Sequence, residues 1–192
     1  MMREIEEPKR RQWQPVFKEE WIARWTHPTR PVRDGEVLAL DGRRFRVHDM
    51  GGGGDCRANA IWVLEDEPRL AFIGDQVFNG VHSYLADGQL AERLANLEKA
   101  RGFLSGAGTL YPGHGAGGSL ELLDTQRRYL EAYRAAIRDL ARGRPSLTDA
   151  EKNELTSRMQ AYLPGAGLTF LIALSADAVA AELARTPKGA ER

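Results

Sequence analysis

Three short polar segments of the chain contain residue types that can hold a metal ion or move a proton. The first is a run of four glycines followed by Asp55, the second contains Asp75, and the third contains His114 between two glycines. Carboxylate oxygens suit hard divalent cations, and a neutral imidazole is a common ligand of zinc or iron. The three segments are therefore candidates for one metal-dependent site.

Each of these segments also has an ordinary interpretation. Four glycines relax the limits on backbone angles and let the chain approach a ligand closely, but they establish only flexibility. An aspartate at a strand end is often a turn or cap residue, and a single histidine in a loop is more often ordinary than functional. Cys56 could be a soft ligand or a small apolar filler, and the second interpretation is favoured because no other cysteine is present.

The elements that must position these residues are short strands. Residues 36–40 and 44–48 flank the dipeptide Asp41-Gly42, which is a strong signal for a β-hairpin. Residues 59–64 and 69–73 predict a second pair, and residues 109–111 a further buried strand. Each candidate segment follows one of these strands, where a sheet would present a site.

Helices are predicted before and after the strands. A spacing of three and four residues suits a short amphipathic helix that cannot pass the prolines at 28 and 31, and it is shown from Phe17 onward by the apolar residues Trp13, Phe17, Trp21, Ile22 and Trp25. Apolar stripes predict helices near 90–100, 119–142 and 168–184. Thr148 with Glu151 forms a capping box for another helix, which Pro164 ends.

Composition narrows the class of protein. The 192 residues include 27 basic and 27 acidic side chains, a net charge of zero that argues against nucleic-acid and anionic-membrane partners. No apolar run is long enough to span a bilayer. A single cysteine and a charged start without a signal region lead us to expect a soluble, cytoplasmic protein.

The order of the three segments resembles the second half of the metallo-β-lactamase-fold hydrolases. From Asp34 to about Gly118 the resemblance holds nearly element by element, with Asp75 at the position of the aspartate that bridges two metals and His114 at that of the final metal-binding histidine. Asp55 lies where the family has a histidine. An oxygen ligand there shifts the metal preference from zinc toward manganese or iron.

The signature HxHxDH motif of that family occurs nowhere in this sequence. The resemblance therefore implies an α/β fold: a half or truncated αββα metallo-β-lactamase-like sandwich with a helical C-terminal extension. We divide the chain into an N-terminal helical segment (1–33), the metallo-β-lactamase-like core (34–118), the helical extension (119–186) and a tail (187–192).

The first functional hypothesis follows from this resemblance. Asp55, Asp75 and His114 would be the surviving metal ligands, chiefly of the second metal, with zinc implied by the family and manganese or iron as alternatives. His82 would line the site mouth and contact an unidentified small-molecule substrate. Without the first-half ligands we expect the isolated chain to be a poor hydrolase or none.

The second hypothesis is a non-catalytic binding or assembly protein. We place Ile61, Val63, Leu70 and Phe72 on one face of the sheet, with Trp62 and Ile73 available to the other, so that both faces need cover. The C-terminal helices can cover one face. A second copy could cover the other, which predicts a homodimer, and the N-terminal tryptophans are the alternative cover.

Overall fold

The computed structural model describes residues 2–22 and 24–185, and the side chains among them from Glu6 onward. The chain divides into two compact units, residues 1–33 and 34–192, which are described separately. The predicted tail at 187–192 lies outside the described residues.

The first unit contains one long helix, α1 (Met2–Phe17), followed by a 3-10 turn (Lys18–Glu20). The predicted helix was wrong in its position, because α1 ends before Trp21. Lys18 has a φ of 49°, a left-handed conformation that a helix cannot continue through. The aromatic side chains still form a series, in which Phe17 and Trp21 are stacked with ring centroids 6.2 Å apart.

The second unit contains a five-stranded sheet in the order β1-β2-β3-β4-β5. The strands are β1 (Val37–Leu40), β2 (Arg43–Gly51), β3 (Asn59–Leu64), β4 (Leu70–Phe78) and β5 (Thr109–His114). Neighbouring strands are antiparallel except β4 and β5, which are parallel. The predicted hairpin is confirmed, with Asp41 and Gly42 both at positive φ in its turn.

The register of the sheet corrects the predicted division of its faces. Trp62 pairs with Phe72, and Val63 pairs with Ala71. Residues directly opposite each other share a face, so Phe72 lies on the face of Trp62 and not on that of Val63. Leu70 shares the face of Phe72, and Ile73 is buried on the face of Val63, so the two faces of β4 are exchanged relative to the prediction.

Four helices complete the second unit: α2 (Leu90–Leu104), α3 (Glu121–Ala141), α4 (Asp149–Tyr162) and α5 (Phe170–Arg185). Helix α2 ends at Leu104, four residues beyond the predicted range. The capping box of α4 is confirmed, since the hydroxyl of Thr148 accepts from the amide of Glu151 and the Glu151 carboxylate accepts from the Thr148 amide. None of the helices in the described ranges is long and apolar enough to cross a membrane.

The core lies between one face of the sheet and helices α2 and α3, which both pack on β4. Strand side chains on this face are fully buried, and α4 and α5 pack against α3 to extend the same apolar cluster. The completely buried strand residues on this face include Ile61, Ala71, Ile73 and Leu110. The alternation of the strands therefore builds the core, and the parallel ends of β4 and β5 present the candidate site beside it.

Candidate functional site

Asp75 and His114 lie next to each other at the ends of the parallel strands. The pairing of Phe78 with His114 brings the two strand ends together, and Oδ1 of Asp75 lies 3.8 Å from Nε2 of His114. The histidine side chain is 47% exposed and that of the aspartate 23%. A Cβ atom at position 113 would collide with the Asp75 carboxylate, so the close approach requires glycine there. This is an accessible carboxylate–imidazole pair.

The ring of His114 also packs on an aromatic side chain. It stacks on Phe78 with centroids 4.8 Å apart and ring planes 16° apart. Its backbone carbonyl accepts from the amide of Asn79 at 2.9 Å. The imidazole therefore packs on Phe78, with its Nε2 atom on the side of Asp75.

The glycine loop before Asp55 packs against helix α2. The amide of Gly52 donates to Oε1 of Glu92 at 3.1 Å, and that of Gly53 donates to Oε1 of Gln89 at 2.7 Å. The side-chain amide nitrogen of Asn96 donates to the carbonyl of Gly52 at 2.7 Å. The glycines are buried here because a helix approaches their backbone, a packing reason that the sequence interpretation of flexibility did not include.

Arg93, on the same helix, was not singled out from the sequence. Its side chain is fully buried and donates to the backbone carbonyls of Gly53, Tyr84 and Asp75. One signal could have found it, because Arg93 occupies a position of the buried stripe that also contains Leu90 and Leu97. A charged residue at such a position demands polar partners, and here they are loop carbonyls.

His82 is also buried, with no exposed surface, and does not line a site mouth in this structure. Its Nδ1 lies 3.1 Å from the hydroxyl of Tyr129, and its amide donates to the carbonyl of Gly167 at 3.0 Å. Burial lowers the pKa of its imidazole, which favours the neutral ring. A substrate contact of His82 stays a prediction.

The predicted three-residue ligand set is not assembled. Among residues 2–22 and 24–185, no group of three or more His, Cys, Asp or Glu side chains could hold a metal ion. Asp75 and His114 meet, whereas Asp55 does not join them in such a group. The donor set therefore does not fit the metal centre that the resemblance implies.

The remaining candidates have structural surroundings. The ring of His48 stacks on Phe103 at 4.0 Å, and desolvation lowers its pKa. The thiol of Cys56 lies 3.2 Å from the carbonyl of Ala58. In the first unit, His27 lies 3.0 Å from a carboxylate oxygen of Glu6. The position of Cys56 agrees with the structural role that the sequence favoured for it.

Solved structures share this fold. A beta-lactamase domain protein from Burkholderia ambifaria superposes with a TM-score of 0.59 at 15% identity, over 91% of this chain and 52% of that chain. A metallo-beta-lactamase family protein from Thermus thermophilus gives 0.57 at 21% identity, over 94% and 60%. A metallo-beta-lactamase from Pontibacter korlensis gives 0.48 at 21% identity, over 55% and 50%. No protein-family model and no curated protein matches the chain.

These comparisons show that the second unit has the mixed α/β metallo-β-lactamase-like fold expected from the sequence. At such identities the likeness concerns the fold alone. The chain spans about half the length of the solved proteins it matches, between 50% and 60%. Activity must therefore be argued from this chain's own residues.

Proposed function

We propose that this chain is built on a hydrolase fold but, on its own, is a weak hydrolase or none. The observation that carries the proposal is the incomplete donor set, in which only Asp75 and His114 of the predicted ligands are adjacent. Two ligands give at best a weak, open contact with a divalent cation such as zinc, manganese or iron. Water activation by a metal needs about three protein ligands that hold the ion and leave one coordination position open for the water.

What the pair can do without a metal is limited by its geometry. A carboxylate 3.8 Å from an imidazole lies close enough to orient the ring. General-base catalysis also requires a bound substrate and donors for the developing negative charge. The residues described around the pair contribute a stacked ring, Phe78, and the buried Arg93, which donates to backbone carbonyls.

Metal analysis of the full chain, purified without added metal, tests this proposal. We expect far less than one metal ion per chain, and no retained metal in a variant with both Asp75→Ala and His114→Ala. A Lys99→Ala variant, altered on the exposed side of α2, is the matched control. Stoichiometric zinc, manganese or iron that disappears only in the double variant would overturn the proposal.

The second candidate function is assembly through the open face of the sheet. The face opposite the core carries an aromatic row in which Phe45 lies 6.4 Å from Phe72, and Phe72 stacks on Tyr111 at 5.5 Å. Phe72 is 43% exposed and Tyr111 41%. Contiguous apolar surface of this kind marks an interaction site.

A second copy of the chain is the occupant we propose for this aromatic row. The net charge of zero means that two copies do not repel each other. A two-fold axis through the row would pair apolar surface with apolar surface. Burying roughly 300 Å² per copy would contribute several kcal/mol at about 25 cal/mol per Å². A cytoplasmic location and the absence of nucleic-acid partners stay predictions.

Light scattering of the wild-type chain between 1 and 100 μM, on the order of ordinary dimer affinities, tests the assembly candidate. We expect a dimer, and a monomer for the Phe72→Glu, Tyr111→Glu variant. Leu174→Glu, at an exposed position of α5, is the control that should leave the mass unchanged. A wild-type monomer throughout this range would contradict the homodimer.

A further inference from the structure

The guanidinium of Arg93 joins three segments of the chain at the candidate site. Nε donates to the carbonyl of Gly53 at 2.8 Å, Nη1 to that of Tyr84 at 3.0 Å, and Nη2 to that of Asp75. These carbonyls belong to the glycine loop, to the segment before α2, and to strand β4. One side chain therefore fixes three separate backbones relative to one another.

A buried positive charge accompanies these hydrogen bonds. Burial lowers the pKa of Arg93 from 12.5 to about 10, while the carboxylates of Asp75 and Asp55 act in the opposite direction. The side chain stays protonated at neutral pH. Its carbon Cζ also lies 5.3 Å from the ring centroid of Phe78, the ring on which His114 stacks.

The positive charge of Arg93 lies close enough to Asp75 to repel a metal ion bound there. A divalent cation bound by Asp75 would be repelled by the guanidinium that donates to the backbone carbonyl of the same residue. The carboxylates of Asp75 and Asp55 in turn favour the charged form of Arg93, since both act to raise its pKa. The incomplete donor set and the buried guanidinium therefore both predict weak metal binding at this site.

We propose that Arg93 is a positioning residue that performs the task of a resident cation at this site, holding the glycine loop, Asp75 and the Tyr84 segment together and balancing Asp55 and Asp75. The inference rests on the proposed function in one respect, that Asp75 and His114 form the site. It adds the residue that organises this site and the reason for weak metal binding.

Titration of the full chain with Mn²⁺ tests the electrostatic part. Arg93→Met removes the charge and should tighten Mn²⁺ binding by about tenfold. Arg93→Lys keeps the charge and should bind Mn²⁺ like the wild type. Arg101→Met, which removes a partly exposed arginine of the same helix, is the control. A merely structural role predicts weaker binding in Arg93→Met, and unchanged or weaker binding in a folded variant would overturn the proposal.

A double-mutant cycle keeps the proposal testable if Arg93→Met unfolds. Asp55→Asn and Asp75→Asn remove the charges that Arg93 balances, so the loss of stability caused by Arg93→Met should be smaller in these backgrounds. Urea unfolding measures each variant. Equal losses in all backgrounds would refute charge compensation. This readout does not depend on hydrolysis or on metal content, so its failure is distinguishable from failure of the proposed function.

Discussion

Replacing Gly53 with alanine tests whether the glycine loop is packed against helix α2. Gly53 has a φ of 76°, and a Cβ atom there would lie 2.7 Å from the amide nitrogen of Arg93 and 2.9 Å from the carbonyl carbon of Glu92. Both are backbone atoms of a helix and cannot move aside alone. The left-handed conformation costs alanine about 1–2 kcal/mol, and overpacking adds about 1–3 kcal/mol.

The expected loss is therefore about 2–5 kcal/mol, or roughly 4–20 °C in melting temperature for a chain of this size. Urea unfolding followed by circular dichroism measures it. Two glycine controls separate the causes. Gly35 has the same φ of 76° with nothing within 4 Å of its Cβ position, so its alanine variant reports the backbone strain alone. Gly102 lies in α2 with open space around it, and alanine there should stabilise by about 0.5–1 kcal/mol.

The comparison between Gly53→Ala and Gly35→Ala decides the question. Equal losses in the free energy of unfolding would show that a Cβ atom at Gly53 does not disturb the contact between the loop and α2, and close packing at this position would be refuted. If Gly53→Ala unfolds at the same urea concentration as the wild type, the expected cost of the left-handed backbone conformation would be refuted as well. A larger loss at Gly53 confirms that the glycines serve close packing and not mobility.

Further predictions concern the cap of α4 and catalysis. Thr148→Ala should destabilise the chain by about 1 kcal/mol in urea unfolding, because the capping box loses its hydroxyl. Hydrogen bonding from the Thr148 amide, followed by that from Arg144, lowers the pKa of Glu151 from 4.5 to about 2, so its contribution is present above pH 4.5 and is lost as the pH falls toward 2. Glu151→Gln should flatten the acid limb of stability in that window, and an unchanged acid limb would count against it. Turnover of a chromogenic lactam should be negligible, and chelator-sensitive turnover absent from a contaminant control would show otherwise.

Local sequence signals predicted most elements of the second unit. Asp41-Gly42 identified the first hairpin because both residues tolerate the positive φ that its turn requires. Thr148 and Glu151 identified the start of α4 because their bonds lie within one turn. The order of strand, helix and strand between Asp75 and His114 was predicted from the sequence. The parallel pairing of β4 and β5 explains why these two residues lie next to each other.

Features set by long-range contacts were missed or assigned wrongly. The faces of β3 and β4 depend on the pairing of Trp62 with Phe72, which no local pattern fixes. The glycine loop was interpreted as flexible because the helix that packs on it lies 36 residues away along the chain, as the bond from Gly53 to Gln89 shows. Arg93 was overlooked because its acceptors are backbone carbonyls. Every residue type has such a carbonyl, so the sequence does not show which ones accept from Arg93.

The helices predicted as a C-terminal extension take part in positioning the site. The carboxylate of Glu182 in α5 accepts from the first amides of α2, those of Leu90 and Ala91, both at 2.8 Å, and so caps the helix that carries Arg93. The hydroxyl of Ser175 accepts from the amide of Leu85, which lies on the segment leading into α2. Because α2 holds the glycine loop and α5 holds the start of α2, the position of Arg93 depends on contacts between residues 90 or more positions apart. The site is therefore a property of the whole second unit, and not of the strand ends alone.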